Sequence, residues 1–192
     1  METLTITRPD DWHLHLRDGA ALADVVHWSA ARFGRAIIMP NLTPPLTTTD
    51  AVAAYRERIL AARPAGSRFE PLMTLYLTDN TPAREIERAA ATGFIHAVKL
   101  YPAGATTNSD SGVTDLRRCD EALAAIAEHD LTLCLHGEVT HPETDIFDRE
   151  AVFLDERLAP LLDRHRHLRV VLEHLTTATA VDFVRQGPER LG

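Results

Sequence analysis

The stretch Asp11-Trp12-His13-Leu14-His15-Leu16-Arg17-Asp18-Gly19 opens a pattern that persists to the end of the chain, a short apolar or β-branched run followed by a longer segment of helical periodicity. Strands are expected at Asp11 to Leu16, Ala36 to Met39, Pro71 to Leu77, Ala97 to Tyr101, Thr132 to His136 and Arg169 to His174. Helices are expected between them, at about Ala20 to Phe33, Asp50 to Arg63, Ala83 to Thr92, Asp115 to His129, Glu150 to His165 and Ala178 to Gln186. Six strand-then-helix pairs imply parallel strands with helical crossovers, an α/β fold that is either doubly wound or a (β/α)8 barrel. A doubly wound nucleotide-binding sheet carries a G-x-G-x-x-G turn after its first strand, whereas the turn here is Arg17-Asp18-Gly19. Histidine, asparagine or lysine falls instead at the C-terminal ends of strands one, two, four, five and six, the rim on which barrel active sites are assembled. The expected fold is a (β/α)8 TIM-type barrel, present as about its first six β/α units.

Spacing supports the helices. Val52, Tyr55, Ile59 and Leu60 form one apolar stripe, with Thr49 placed to cap its start. Leu116, Leu123, Ile126 and Ala127 form another, with Asp120, Glu121 and Glu128 outward. No low-complexity tract or Gly/Ser linker interrupts the pattern, so residues 1–192 are expected to form a single domain. Six units do not close an eight-stranded barrel, and Leu191 and Gly192 follow a helix with no seventh strand in view. The sequence is therefore expected to be the N-terminal part of a longer barrel.

A net charge of −8 repels phosphate backbones and anionic lipid, which argues against nucleic-acid or membrane-surface partners and for small molecules or other protein chains. Cys119 and Cys134 are too few for a disulfide framework, and the opening METLTITRPD lacks the basic-then-apolar layout of a secretory signal. No apolar run approaches the roughly 18 residues of a membrane span. A reducing, cytoplasmic setting is expected.

The chemistry concentrates on a few polar residues in apolar strands. In a strand, His13 and His15 point to one face while Leu14 and Leu16 pack the other way, so both imidazoles can lean onto one ion. A bare H-x-H is equally consistent with two surface histidines. His165-Arg166-His167 has the same spacing among arginines that disfavour a cation, and reads as solvated surface; Asp148 and Glu150 also read as solvated. Lys99 stands alone in the apolar run Ala97-Val98-Lys99-Leu100-Tyr101. Such a lysine either snorkels to solvent or, buried near cations, becomes a neutral amine able to take up carbon dioxide as a carbamate. His136 and His174 each end a buried run and could be rim histidines of the core. Together, His13, His15, Lys99, His136 and His174 lie at one end of strands one, four, five and six, the layout of a binuclear metal site. Histidine and carbamate also accept cobalt, manganese or iron, so ligand type does not select the metal.

The segments Asp11 to Gly19, Met39-Pro40-Asn41, Lys99-Leu100-Tyr101-Pro102-Ala103-Gly104-Ala105-Thr106-Thr107-Asn108-Ser109, His136-Gly137-Glu138 and Glu173-His174 resemble the dihydroorotases of the bacterial class II type, within the amidohydrolase superfamily. The resemblance runs through essentially all 192 residues, and the lysine loop is its most specific part. It implies that His13 and His15 hold the more buried of two Zn2+ ions, that Lys99 as N6-carboxylysine bridges both, and that His136 and His174 hold the second. It implies substrate contacts from His15, Arg17, Asn41 and His136, and a closing loop that includes Thr106 and Thr107. The implied reaction interconverts N-carbamoyl-L-aspartate and L-dihydroorotate in de novo pyrimidine biosynthesis, with a homodimer among the implications for the full-length enzyme. The family's aspartate, its general acid/base, follows the eighth strand and has no counterpart within these residues. Alternatives are a cyclic-amide hydrolase of the hydantoinase or allantoinase type, or an inactive truncated form.

Overall fold

In the computed structural model, which describes residues 3–192, six strands form one sheet: β1 (Asp11–Leu14), β2 (Arg35–Ile38), β3 (Glu70–Tyr76), β4 (Ile95–Leu100), β5 (Thr132–His136) and β6 (Arg169–Glu173). Every neighbouring pair is parallel and the spatial order equals the chain order. A doubly wound sheet reverses its order at a switch point. This one does not, so the strands build a curled part of a TIM-type barrel. The crossovers are α1 (Ala20–Arg32), α2 (Thr49–Ala62), α3 (Ala83–Ala91), α4 (Asp120–Glu128), α5 (Arg149–Phe153) with α6 (Ala159–Arg164), and α7 (Ala178–Gln186).

The two faces of the sheet carry different side chains because the strand period is two. Outward residues such as Ile38, Leu75, Val98, Leu133 and Leu172 join one large core with the inward stripes of the helices, among them Val26, Val52, Ile59, Ile86, Leu123 and Leu161. Facing the barrel interior, Ile37, Met39 and Leu72 form a separate small cluster. Register places Lys99 beside Cys134 and Cys134 beside Val171, so one pleat further on Tyr101, His136 and Glu173 share the inner face near the strand ends. That row is the floor of the site.

Several expectations need correction. The expected single helix at Asp115 to His129 begins as a 3-10 turn, Leu116–Cys119, before α4. The one at Glu150 to His165 is broken by a π-helical turn, Leu154–Leu158, where the Ala159 N–H reaches back to the Leu154 carbonyl. Pro160, which has no N–H to give, stands where the regular ladder resumes. Thr48, rather than Thr49, caps α2: its side chain accepts from Ala51 N, while the Thr49 N–H donates to Glu85 Oε1 at 2.5 Å. Glu150 is buried, not solvated, and accepts from Thr176 N, Thr177 N and Thr177 Oγ1 at 3.0, 2.9 and 2.5 Å. Asp148 is exposed, as expected. His165 is half-buried, its Nε2 3.1 Å from Asp120 Oδ1, while His167 is exposed. A seventh register does begin: Leu191 bridges to Val170 in parallel, with Val170 N donating to Arg190 O and Leu172 N to Gly192 O. No helix among the described residues is long and apolar enough to cross a membrane.

Candidate metal centre

Strand ends bring the histidines together. His13 lies on β1, His15 just past it, His136 at the end of β5 and His174 immediately after β6. With Asn41, Tyr101 and Thr106 they line one cavity of about 270 Å³. Ring centroids are 5.1 Å apart for His13 and His15, 5.2 Å for His13 and His174, and 4.8 Å for His136 and His174. The Nε2 atoms of His13 and His15 face each other at 3.1 Å. That is close to the edge of a ligand tetrahedron around an ion bound at about 2.0–2.1 Å.

Below them sits Lys99, with no exposed surface. Its Nζ donates to Glu173 Oε2 and lies 4.9 Å from the centre of the Tyr101 ring. The other oxygen of Glu173 is 3.1 Å from His13 Nδ1. His13 Nδ1 and His136 Nε2 are both buried without a well-directed hydrogen-bond partner, although Glu173 and Glu138 oxygens stand 3.1 and 3.3 Å away. Buried imidazole nitrogens left in that condition fit a cation they could ligate.

The electrostatics agree. Burial, aided by His13 and Arg17, pushes His15 down to about 4; His174, although its side chain is exposed at the rim, is pushed to about 4 by partial desolvation there together with Lys99 and His136. Burial also lowers His136, against the pull of Glu138. These rings are therefore neutral at pH 7, the form that binds metal. Burial lowers the Lys99 amine, opposed by Glu173. Burial would raise Glu173, but His13 and Lys99 beside it hold its carboxyl below the usual range.

The expected substrate residues divide. Asn41 is buried against the loop after β4: its Nδ2 donates to Thr107 O at 3.0 Å, and Asn108 Nδ2 returns a bond to Asn41 O at 3.0 Å. Its Oδ1 is buried and unpartnered. Thr106 reaches the cavity and is held by Ser109, whose Oγ accepts from Thr106 N and donates to Thr106 O. Thr107 is exposed and contributes its carbonyl to Asn41 rather than a side chain to the cavity. Arg17 is exposed and does not line the cavity, yet it lies near enough to lower His15; its carbonyl accepts from the Tyr55 hydroxyl.

Sequence reasoning gave Glu173 no role. The signal was present: counting by twos from the inward Val171 puts Glu173, not His174, on the inner face. His174 reaches the rim because its backbone has φ 45°, a left-handed turn at the end of the strand. Gly137 serves the same junction, since a Cβ there would come within 2.5 Å of Leu172 Cδ1.

Comparison with known proteins fits this geometry. The amidohydrolase family model matches residues 6–187. A dihydroorotase of Alkalilimnicola ehrlichii is 71% identical over 192 residues, covering 100% of this chain and 56% of that protein. Among solved structures, a dihydroorotase from Campylobacter jejuni superposes with TM-score 0.86 at 36% identity, over 96% of this chain and 52% of that one. The Saccharomyces cerevisiae dihydroorotase in complex with 5-fluoroorotic acid gives TM-score 0.83 at 33% identity, over 92% and 50%. The chain thus spans about half the length of the relatives it matches.

Proposed function

Because this chain belongs to the amidohydrolase family, we propose that it carries the metal-binding half of a dihydroorotase, an enzyme of pyrimidine biosynthesis that interconverts N-carbamoyl-L-aspartate and L-dihydroorotate. The observation that carries this reading is the convergence of His13, His15, His136 and His174 over the buried Lys99 in one cavity. His13 and His15 would hold one Zn2+, His136 and His174 the other, and Lys99 as N6-carboxylysine would bridge them. When bound, the ions supply Lewis acidity and lower the pKa of water toward neutrality.

The chain's own residues supply the setting. The neutral imidazoles coordinate without first losing a proton, and burial favours the uncharged Lys99 amine that reacts with carbon dioxide. Asn41 and the Thr106–Ser109 turn wall one side of the cavity, where the Asn41 side-chain oxygen would accept from a donor such as a ureido N–H. Arg17 at the mouth suits a carboxylate substrate through bidentate hydrogen bonding, provided its exposed side chain swings inward. Residues 1–192 act as one domain, in the cytoplasm, on a small anionic substrate, with the whole enzyme a homodimer.

Metal counting tests this directly. The chain equilibrated with Zn2+ and bicarbonate should bind two ions, and Lys99→Ala at most one; two tightly held ions in that variant would remove the bridge from the account. Hydantoin and dihydroorotate assayed side by side on the whole enzyme separate a hydantoinase-type activity from the proposed one. A polypeptide limited to these 192 residues forms, over its described residues, six strands of the barrel. It should turn over dihydroorotate little or not at all, and substantial turnover would show that the family's aspartate is dispensable.

A further inference from the structure

Glu173 has no part in a centre bridged by a modified lysine, yet it stands in the middle of the ligands. A ring nitrogen of His13, a carboxylate oxygen of Glu173 and a ring nitrogen of His174 all lie within 4.8 Å of one another. Glu173 is also buried, 7% exposed, and its second oxygen accepts from Lys99 Nζ. We propose that, while Lys99 is unmodified, this chain holds a single divalent transition-metal ion through His13, Glu173 and His174. The proposal rests on the rim being a metal centre, but not on the carbamate.

Two imidazoles and a carboxylate are a donor set that first-row divalent ions accept, and three protein ligands leave coordination positions open for water. Ligands bound at about 2.0–2.2 Å stand roughly 3–4 Å from each other. The present spacing therefore needs only a small rotation of the rings or the carboxylate. The buried carboxylate is a further reason. Glu173 Oε1 faces His13 Nδ1 at 3.1 Å, that nitrogen is buried without a well-directed bond, and a cation held between the two would satisfy it.

Modification of Lys99 would end this arrangement. In carbamylation the Nζ lone pair bonds to the carbon of CO2, one C=O electron pair moves onto oxygen, and a proton leaves to water. Lys99 then changes from a hydrogen-bond donor or cation to an anion directly against the Glu173 carboxylate. Two anions at that separation repel. Glu173 must turn away, releasing the first ion to the bridged site. The single-ion and bridged states are mutually exclusive, with Glu173 belonging to the first.

Equilibrium dialysis with Co2+ alone, read also by its visible absorption, distinguishes the possibilities. Lys99→Met cannot take up CO2 and should bind one Co2+ per chain. Even the partner of a metal ligand is worth about 10–100-fold in affinity, so Glu173→Gln in that background should weaken binding at least about tenfold. His136→Ala in the same background should leave it unchanged. As a second measurement free of the Lys99 substitution, the unsubstituted chain in CO2-depleted buffer should bind one ion, again weakened by Glu173→Gln, and bicarbonate should raise the count to two. Affinity indifferent to Glu173→Gln, or lost in His136→Ala, places the ion on other ligands and overturns the proposal. No binding by Lys99→Met or by the CO2-depleted chain, with two ions bound in bicarbonate, overturns it while leaving the bridged reading intact. No binding under any condition overturns both.

Discussion

His174 has φ 45°, and the junction that holds it in place is built around a carboxylate on α5, 26 residues before Thr176. Glu150 accepts two backbone N–H bonds and one hydroxyl bond from Thr176 and Thr177, the residues that follow His174 and Leu175. Without this buried acceptor those donors would be stranded. Leaving a buried polar group unsatisfied costs about 1–3 kcal/mol, so Glu150→Ala should lower unfolding free energy by that much in a urea titration. An unchanged midpoint would mean that water replaces the carboxylate at no cost. The motif Glu173-His174 was visible in the sequence as a pair, but its geometry was not. Strand alternation sends adjacent side chains to opposite faces, and the left-handed turn brings His174 to the cavity while Glu173 stays on the floor beneath it.

At the scale of elements, helices were legible from spacing, and their ends were not. Threonine occupies three successive positions, 47, 48 and 49, at the start of α2, and any of them could cap it by composition. The structure assigns the cap to Thr48, while Thr49 Oγ1 is buried and unpartnered. Thr48→Ala should therefore cost about 1 kcal/mol, measured by chemical denaturation. Thr49→Val keeps the shape and removes an unsatisfied hydroxyl, so it should be neutral or stabilising. The reverse ranking would restore Thr49 as the cap. The break between α5 and α6 was equally hidden, because apolar periodicity through Phe153, Leu154, Leu158, Leu161 and Leu162 continues across the π-helical turn. A pattern of burial does not register one residue of extra winding.

For the whole molecule, the cavity histidines make stability depend on pH. His15 and His174 have folded pKa values of about 4 against an ordinary 6.5, so the unfolded chain binds more protons between those limits. Stability then rises with pH across that window: it is fully present above 6.5 and is progressively lost as pH falls toward 4. The metal-free chain should show a melting temperature that declines from pH 6.5 to 4, and His15→Asn with His174→Asn should flatten the slope. A flat profile in the unsubstituted chain would mean that these rings are as solvated folded as unfolded. Metal should steepen the fall, because protons then compete with ions for the same nitrogens.

The sequence by itself determined the α/β class, the parallel barrel topology and the family, because strand-helix alternation and the position of polar residues at strand ends are local properties that survive in one dimension. It also singled out the four histidines and Lys99 that the structure brings close together. Tertiary structure alone decided that Glu173 occupies the floor beneath them, that Glu150 ties down the turn after His174, that Arg17 is exposed outside the cavity lining, and that a seventh register begins at Leu191. Each of these depends on which residues meet across 20 to 160 positions of chain. Strand register, one left-handed backbone angle and burial fix such meetings, and none of them is written in the spacing of neighbours.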